Sequence, residues 1–352
     1  MNRTGILRDE SYLKHSMGAL HPENPRRLRV LYDMLDSEAF RGRFVQIGAR
    51  PASRGELERV HAPSYLDRLA ATSGRRSSYL DPDTSACAES WNAARRAAGG
   101  LCEAVDAVTS GTVRNAFALV RPPGHHAEEG RAKGFCLLNN LAVAALHARK
   151  ALGLSRVLIV DWDLHHGNGT QNTFLDDPSV LYLSTHQYPF YPGSGALDET
   201  GEGAGRGYTV NIPLSSGCRD GEYAALFERI VRPVSLAFRP DLVLVSAGMD
   251  IHSADPLGAM GVTPQGFAAL TRVLMEIAGA SCGGKLVLAL EGGYDLEGLR
   301  DSVRAVLDEL DERTHTDPLS AASTARERYV ASIVQAVRRA HARSWPVLGA
   351  PS

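Results

Sequence analysis

Short apolar runs alternate with longer amphipathic stretches from about residue 115 onward. Runs of four to six apolar residues between turn residues are typical of buried parallel strands, and apolar residues at three- or four-residue spacing are typical of helices. The pattern predicts strands at 116–120, 157–160, 180–184, 208–213, 242–246 and 286–290, and helices at 139–152, 222–238, 263–280 and 296–310. This alternation predicts a three-layer α/β fold, with a central, mainly parallel sheet flanked by helices.

The regions on either side of this alternation are predicted to be mostly helical. Helices are expected at 54–71 and 86–109, with a loop at 73–82, and residues 316–352 form a helical tail with one amphipathic helix at 322–343. Because no repeat or linker interrupts the chain, we expect a single domain over 1–352 with a core at about 6–310.

Charge and cysteine content narrow the class of protein. The chain has 38 basic and 40 acidic side chains and a net charge of −2, so no global field favours nucleic acid or an anionic membrane. Its five cysteines are scattered without a CxxC pair, which is typical of a reducing compartment. No export signal or 18-residue apolar run is present. We therefore expect a cytoplasmic protein that binds neither nucleic acid nor a membrane.

Residues suited to metal binding follow the strand predicted at 157–160. Asp161, Asp163 and His165 alternate along the chain, so they point to one face if the backbone stays extended. Two carboxylates and an imidazole suit a divalent ion such as zinc. A polar turn would explain Asp-x-Asp alone, but the adjoining histidines and glycines favour a metal site.

Three other predicted strands are also followed by residues that can bind a metal or transfer a proton. His125 and His126 follow the strand at 116–120, Asp250 follows the one at 242–246, and Tyr294 follows the one at 286–290. In open parallel sheets, ligands bind outside the carboxyl ends of the strands. We therefore expect these side chains to meet the metal ligands at one edge of the sheet.

The ordered set of motifs resembles the zinc-dependent histone deacetylase family, in particular its class II-like and bacterial amidohydrolase branch. The likeness runs from about residue 6 to 310 and is carried by RPPGHHAEEGRAKGFCLLNN (121–140), DWDLHHGNGTQ (161–171), YPGSG (191–195), SAGMDIHSADPLG (246–258) and LEGGYD (290–295). HPENPRRL (21–28) and VHAPSYL (60–66) also resemble family segments. The resemblance implies the arginase/deacetylase fold and hydrolysis of linear amides.

The resemblance also implies a role for each motif residue. Asp163, His165 and Asp250 would bind one catalytic zinc ion. Three protein ligands leave a coordination position open for water and substrate.

The tandem histidines and the tyrosine would complete the catalytic set. His126 would act as proton shuttle and His125 would contribute electrostatically, although the assignment between the two stays open. Asp161 would orient His125, and Asn168 would lie behind His126, where the class I branch has an aspartate. Tyr294 would polarise the substrate carbonyl; a low-activity branch carries histidine there, so the tyrosine favours a competent deacetylase.

A substrate channel and structural cations are implied as well. Gly134, Phe135 and Tyr191 would wall the channel, and Leu257 occupies the position where polyamine-selective relatives carry a glutamate. Potassium would be held largely by carbonyls at two sites. The first would involve Asp161, Asp163, His165, Ser184 and Thr185, and the second Phe174, Asp177, Val180 and Tyr208.

We therefore expect zinc-dependent hydrolysis of acetyl-lysine side chains in a protein or peptide, with an acetylpolyamine or other small acylated amine as the alternative substrate. A binuclear ureohydrolase of the same architecture would need carboxylates where this chain has Gly167 and His252. A non-catalytic acyl-binding module would have no need of Tyr294. Whether the chain forms a homo-oligomer stays open.

Overall fold

The core of the molecule is a fully parallel sheet of eight strands. The computed structural model describes residues 3–349. The strands of the main sheet are β1 (Gly5–Leu7), β2 (Val45–Ile47), β5 (Asn115–Ala118), β6 (Val157–Asp161), β7 (Val180–Gln187), β8 (Thr209–Leu214), β9 (Leu242–Ala247) and β10 (Leu286–Leu290). The strands β3 (Ser78–Asp81) and β4 (Thr84–Ala86) form a separate two-stranded sheet. The order in the main sheet is β2-β1-β5-β10-β9-β6-β7-β8, and each neighbouring pair runs parallel. β5, β6, β9 and β10 are buried along their whole length, which explains why they are mostly apolar, with one polar residue near an end of β5, β6 and β9.

Helices flank this sheet and confirm the predicted three-layer α/β fold. They are α1 (Arg26–Asp36), α2 (Arg54–Leu57), α3 (Pro63–Ala70), α4 (Ser90–Thr109), α5 (Asn140–Lys150), α6 (Asn168–Thr173), α7 (Asp220–Leu226), α8 (Arg232–Phe238), α9 (Pro264–Cys282), α10 (Leu296–Leu310), α11 (Pro318–Ala322) and α12 (Glu327–His341). α9 begins with Pro264 in its first turn and ends at Gly283, whose φ of 66° suits a glycine helix cap. Within residues 3–349, no helix combines the length and apolar character needed to cross a membrane.

The N-terminal predictions need correction. The helix predicted at 54–71 is split into α2 and α3, because Pro63 starts a new helix at its N-terminal turn. The loop predicted at 73–82 contains β3, which pairs with β4 as an antiparallel hairpin. β1 and β2 were missed because three residues are too few to show a hydrophobic period.

Helix boundaries were also misplaced elsewhere. The helix predicted at 222–238 is interrupted by a π-helical turn at Phe227–Val231, next to Pro233, which has no N–H for the helical ladder. The helix predicted at 86–109 begins only at Ser90. The tail carries α11 and α12 in place of one helix at 322–343.

The order of the strands explains how distant motifs meet. β5, β10, β9 and β6 are four consecutive strands at the centre of the sheet, and all four precede a motif with candidate catalytic residues. Asp161 pairs with Ser246, and Ala247 pairs with Leu290, so three of these strands end level with one another. At a spacing of about 4.8 Å between strands, the four ends span roughly 15 Å.

Candidate active site

The candidate metal ligands converge at the carboxyl ends of β6 and β9. Nδ1 of His165 lies 3.2 Å from Oδ1 of Asp163 and 3.1 Å from Oδ2 of Asp250. Both carboxylates are buried, and the three candidate ligand atoms all lie within 4.8 Å of one another. The residues predicted to bind a metal therefore occupy one compact position.

Backbone donors aim these carboxylates at the candidate site. Oδ2 of Asp163 accepts the N–H of Gly292 at 2.9 Å, and Oδ1 of Asp250 accepts the N–H of Leu164 at 2.9 Å. One oxygen of each carboxylate thus remains directed at His165. Two carboxylates and one imidazole form a donor set that fits a catalytic zinc ion with an open coordination position.

Burial makes negative charge costly on the carboxyl groups around the candidate metal site. Burial raises the pKa of Asp250 to about 7, and the charge of Asp163 adds to this effect. Burial likewise raises the pKa of Glu291 to about 7. Burial alone would lower the pKa of His165, but hydrogen bonds to Asp163 and Asp250 raise it to about 9. Carboxylates that are costly to ionise here would be stabilised by a divalent cation.

The tandem histidines follow β5 and are anchored by the neighbouring strand β10. Oε2 of Glu291 accepts the N–H of Gly124 at 2.6 Å and that of His125 at 3.2 Å. The two histidine rings lie side by side, with centroids 4.0 Å apart, and both are buried. Sequence reasoning did not assign this role to Glu291, although the LEGGYD motif contains it.

The two histidines have different partners behind them. Nδ1 of His125 donates to Oδ2 of Asp161 at 3.1 Å, whereas Nδ1 of His126 faces the amide oxygen of Asn168 at 2.8 Å. Burial alone would lower the pKa of His125, but the charges of Asp163 and Asp161 raise it to about 10. Burial, together with the positive charge of His125, lowers the pKa of His126 well below its usual value. The pair therefore combines one histidine that favours protonation with one that stays neutral.

Tyr294 is held next to the histidines by two residues that sequence reasoning missed. Arg27 is fully buried, donates to the carbonyl oxygens of Gly293 at 2.6 Å and Glu291 at 2.5 Å, and places its guanidinium 4.9 Å from the centre of the Tyr294 ring. Oδ2 of Asp255 accepts the N–H of Tyr294 at 2.6 Å. Arg27 belongs to the HPENPRRL segment, which was the only sequence signal for its importance.

A narrow cavity of about 130 Å³ opens onto the histidines and Tyr294. Its lining includes all four residues predicted to form the channel: Gly134, Phe135, Tyr191 and Leu257. The rings of Tyr191 and His126 meet edge to face, with centroids 5.2 Å apart, and those of Phe135 and Tyr294 do so at 5.9 Å. A cavity this small, well below the size of a drug-binding pocket, suits a slender unbranched chain.

The β3–β4 hairpin shapes the wall of this cavity. Gly134 and Phe135 have φ values of 55° and 67°, a backbone conformation that is uncommon for phenylalanine. Their N–H groups donate to Oδ1 of Asp83 at 3.1 Å and to Oγ1 of Thr84 at 2.9 Å, respectively. Asp83 also lines the cavity. Asp83 directly follows the loop predicted at 73–82 and was given no role from the sequence, although Asp81-Pro82-Asp83 is a recognisable turn signal.

Residues predicted to bind potassium also lie near one another. Ser184 pairs with Asp161 across adjacent strands, and the hydroxyl of Thr185 lies 3.5 Å from the Asp161 carbonyl oxygen. At the second predicted site, backbone hydrogen bonds join Asp177 to Phe174, Val180 to Asp177 and Tyr182 to Tyr208. Each carbonyl oxygen has a second lone pair that could bind a cation. Both potassium sites stay predictions.

Among residues 3–349, one further group of potential metal ligands lies outside this site. Glu56, Cys102 and His147 are buried, with candidate ligand atoms within 4.8 Å of one another. However, Arg50 binds both carboxylate oxygens of Glu56 at 2.7 and 2.8 Å, and His147 is hydrogen-bonded to Asp106 at 2.8 Å. Glu56 and His147 therefore already have hydrogen-bonding partners within the protein.

Comparisons with known proteins agree with this architecture. Residues 21–310 match the family model for the histone deacetylase domain. The chain is 46% identical over 313 residues to histone deacetylase 15 of Arabidopsis thaliana, covering 86% of this chain and 56% of that protein. It is 42% identical over 345 residues to the human polyamine deacetylase HDAC10, covering 93% of this chain and 50% of that protein. A solved structure, the HDA15 HD domain, matches with a TM-score of 0.90 at 42% identity, covering 99% of this chain and 96% of that one. The chain thus spans about half the length of the two full proteins.

Proposed function

Because the chain belongs to the histone deacetylase family, we propose that it hydrolyses the amide bond of acylated lysine side chains, using one zinc ion. The observation that carries this proposal is the arrangement around a single narrow cavity. There, the candidate ligand His165 adjoins the tandem histidines and Tyr294. Together these residues would offer a metal position, a proton acceptor and a carbonyl-polarising hydroxyl to one acyl-lysine side chain bound in the cavity.

Asp163, His165 and Asp250 would hold the metal. Zinc, when bound, acts as a Lewis acid on the amide carbonyl and lowers the pKa of a water molecule toward about 7. The hydrogen bonds from Gly292 and Leu164 keep the ligand carboxylates oriented, as supporting contacts do in other metal sites.

His126 is the proposed general base and acid. With its Nδ1 proton donated to Asn168, Nε2 is free to accept a proton from the attacking water and then to protonate the leaving amine. His125 instead faces the carboxylate of Asp161, which stabilises an imidazolium better than an amide does. We therefore assign the shuttle to His126 and an electrostatic role to His125.

Tyr294 would donate its hydroxyl proton to the oxygen of the carbonyl as negative charge develops there. Burial raises the pKa of Tyr294 well above its usual value, although Arg27 opposes the effect, so the hydroxyl stays protonated. A positioned donor of this kind typically contributes a factor on the order of 10²–10³ to the rate. The products would be a carboxylate and a free amine.

A small acylated amine is the second candidate substrate. Asp83 places a carboxylate in the cavity lining, where it could attract a second, cationic amine of an acetylpolyamine. Leu257 offers no such charge, and Oδ1 of Asp83 is already occupied by the N–H of Gly134. The apolar character of Leu257 therefore favours acyl-lysine.

Two matched substrates test the proposal. Zinc-reconstituted protein would be assayed with an acetyl-lysine peptide and with an acetylated polyamine, each with and without a chelator. We expect chelator-sensitive hydrolysis that favours the peptide. A preference for the polyamine that disappears in Asp83→Asn, which keeps an acceptor but loses the charge, would establish the second candidate. If neither substrate were hydrolysed, the proposal of a deacetylase would be contradicted.

We further propose structural potassium at one or both predicted sites and a reducing, cytoplasmic location. The five cysteines Cys87, Cys102, Cys136, Cys218 and Cys282 are all free, which supports a reducing compartment. Potassium can be tested separately, by comparing thermal unfolding in potassium salts with that in salts of a large organic cation.

A further inference from the structure

We propose that Glu128 is a positioning residue that orients Asn168 and thereby sets the tautomer of His126. The amide nitrogen of Asn168 donates to Oε1 of Glu128 at 2.7 Å, while its amide oxygen faces Nδ1 of His126 at 2.8 Å. The three side chains form one continuous chain of short hydrogen bonds. This inference rests on the proposed function, in which His126 transfers the proton.

Glu128 and His126, at the two ends of this row of hydrogen bonds, determine which way the Asn168 amide is oriented. An asparagine amide can present either its oxygen or its nitrogen to a histidine, and both orientations fit the same space. A carboxylate can only accept hydrogen bonds, so Glu128 draws the NH₂ group of Asn168 toward itself. The amide oxygen must then face His126, which in turn must carry its proton on Nδ1.

The opposite orientation would leave two acceptors in contact. The oxygen of Asn168 would lie against the Glu128 carboxylate, and its NH₂ group would require His126 to be an acceptor at Nδ1. The proton of His126 would then move to Nε2, the nitrogen that needs a free lone pair for the proposed base. Asn168 is only 3% exposed, so little water is available to compensate for the mismatch.

The backbone of Glu128 is itself anchored. Its N–H donates to the carbonyl of Arg131 at 3.0 Å, and its carbonyl accepts from Nδ1 of His61 at 2.9 Å. Nε2 of His61 accepts the N–H of Asn139 at 2.9 Å, which identifies Nδ1 as the nitrogen that carries its proton. The carboxylate of Glu128 therefore starts from a defined position.

Both tandem histidines are connected to a carboxylate, but only His125 contacts its carboxylate directly. His125 meets the carboxylate of Asp161 directly, whereas His126 meets that of Glu128 through one intervening amide. Direct contact favours a charged imidazole, while the amide spacer fixes the tautomer and keeps the negative charge farther away. Glu128 therefore favours a neutral, correctly protonated base.

A kinetic cycle tests the inference on the zinc-loaded 352-residue chain. With acetyl-lysine peptide, Glu128→Ala should lower kcat by about 10- to 100-fold, the usual effect of losing a supporting partner, with little change in KM. Glu128→Gln should recover most of the loss, because its amide oxygen can still accept from Asn168. Glu129→Ala is the matched control, since Glu129 is an exposed neighbour. A wild-type kcat in Glu128→Ala would overturn the inference.

The background variant Asn168→Asp separates positioning from general destabilisation. An aspartate accepts from His126 in either orientation, and Glu128 would repel it, so Glu128→Ala should cost nothing or raise kcat there. An equal loss of kcat in both backgrounds would mean that Glu128 acts independently of Asn168, which overturns the inference.

The tautomer of His126 can also be observed without any activity. ¹⁵N NMR of histidine-labelled, zinc-loaded protein should place the His126 proton on Nδ1 in the wild type and in Glu129→Ala. In Glu128→Ala a fraction should shift to Nε2, and an unchanged tautomer would count against the inference. If the wild type hydrolysed neither substrate while this shift occurred, the proposed function would fail and the role of Glu128 would stand.

Discussion

Gly292 is predicted to be required for full metal affinity, although its side chain is a single hydrogen atom. A Cβ at this position would lie closer than 3.0 Å to Oδ2 and Cγ of Asp250 and to Oδ2 of Asp163. The φ of Gly292 does not lie in the left-handed region, so an alanine here causes no backbone strain. Gly292→Ala therefore introduces only a steric conflict with the candidate ligands. The substitution therefore tests the metal position specifically.

The size of the effect follows from the contact distances. To restore ordinary van der Waals contact, the carboxylates would have to retreat by roughly 1 Å. Metal–ligand distances tolerate changes of only about 0.2 Å. The carboxylates cannot move freely, because Leu164 holds Asp250 and the N–H of Gly292 itself holds Asp163. We expect zinc affinity to fall on the order of 10- to 100-fold, the range seen when supporting contacts are lost. This corresponds to about 1.4–2.8 kcal/mol.

The assay is a competition for zinc against a chromophoric chelator, with thermal unfolding of the metal-free protein as a check on folding. Gly279→Ala is the matched control, because Gly279 is exposed on α9 and an added Cβ would meet nothing within 4 Å. That control should bind zinc normally and be slightly stabilised, by up to about 1 kcal/mol. A folded Gly292→Ala variant with wild-type zinc affinity would refute the assigned position of the metal.

Three further outcomes can be checked independently. Tyr294→Phe and His126→Ala should each lower kcat by on the order of 10²–10³ while zinc content by elemental analysis stays unchanged, and near-normal turnover in either would contradict its role. Leu257→Glu should shift the kcat/KM ratio several-fold toward acetylpolyamines, since it adds a negative charge to the cavity lining; an unchanged ratio would show that this position does not select substrates. Burial lowers the pKa of His341 from 6.5 to about 4, so the unfolded chain binds the proton first as pH falls and stability is lost below about pH 6.5. Between pH 7 and pH 5, the free energy of unfolding should therefore fall by about 2 kcal/mol less in His341→Leu than in the wild type. Urea unfolding at both pH values measures this, and an equal fall in the two proteins would contradict the lowered pKa of His341.

Local patterns were sufficient for six of the eight strands of the main sheet and for the residues at its edge. A strand buried on both faces is mostly apolar, so β6, β9 and β10 were visible in the sequence as apolar runs, with a polar residue only near the ends of β6 and β9. Since parallel strands end at a common edge, the polar residues after them could be grouped before any contact was known. The three-residue strands β1 and β2 and the β3–β4 hairpin escaped detection, because segments this short show no hydrophobic period of their own.

The sequence by itself determined the α/β class, the family resemblance and the candidate metal, histidine and tyrosine residues. Asp161 and Asn168 were also predicted behind His125 and His126, but only the tertiary structure decided which other side chains support the site. Arg27 reaches residues 264 and 266 positions away, and Glu291 holds His125 from 166 positions away. Asp83 enters the cavity from a hairpin that pairs outside the main sheet. Hydrophobic periodicity records only whether a segment faces the core, whereas these contacts depend on which strands become neighbours, and strand order arises only when the whole chain packs.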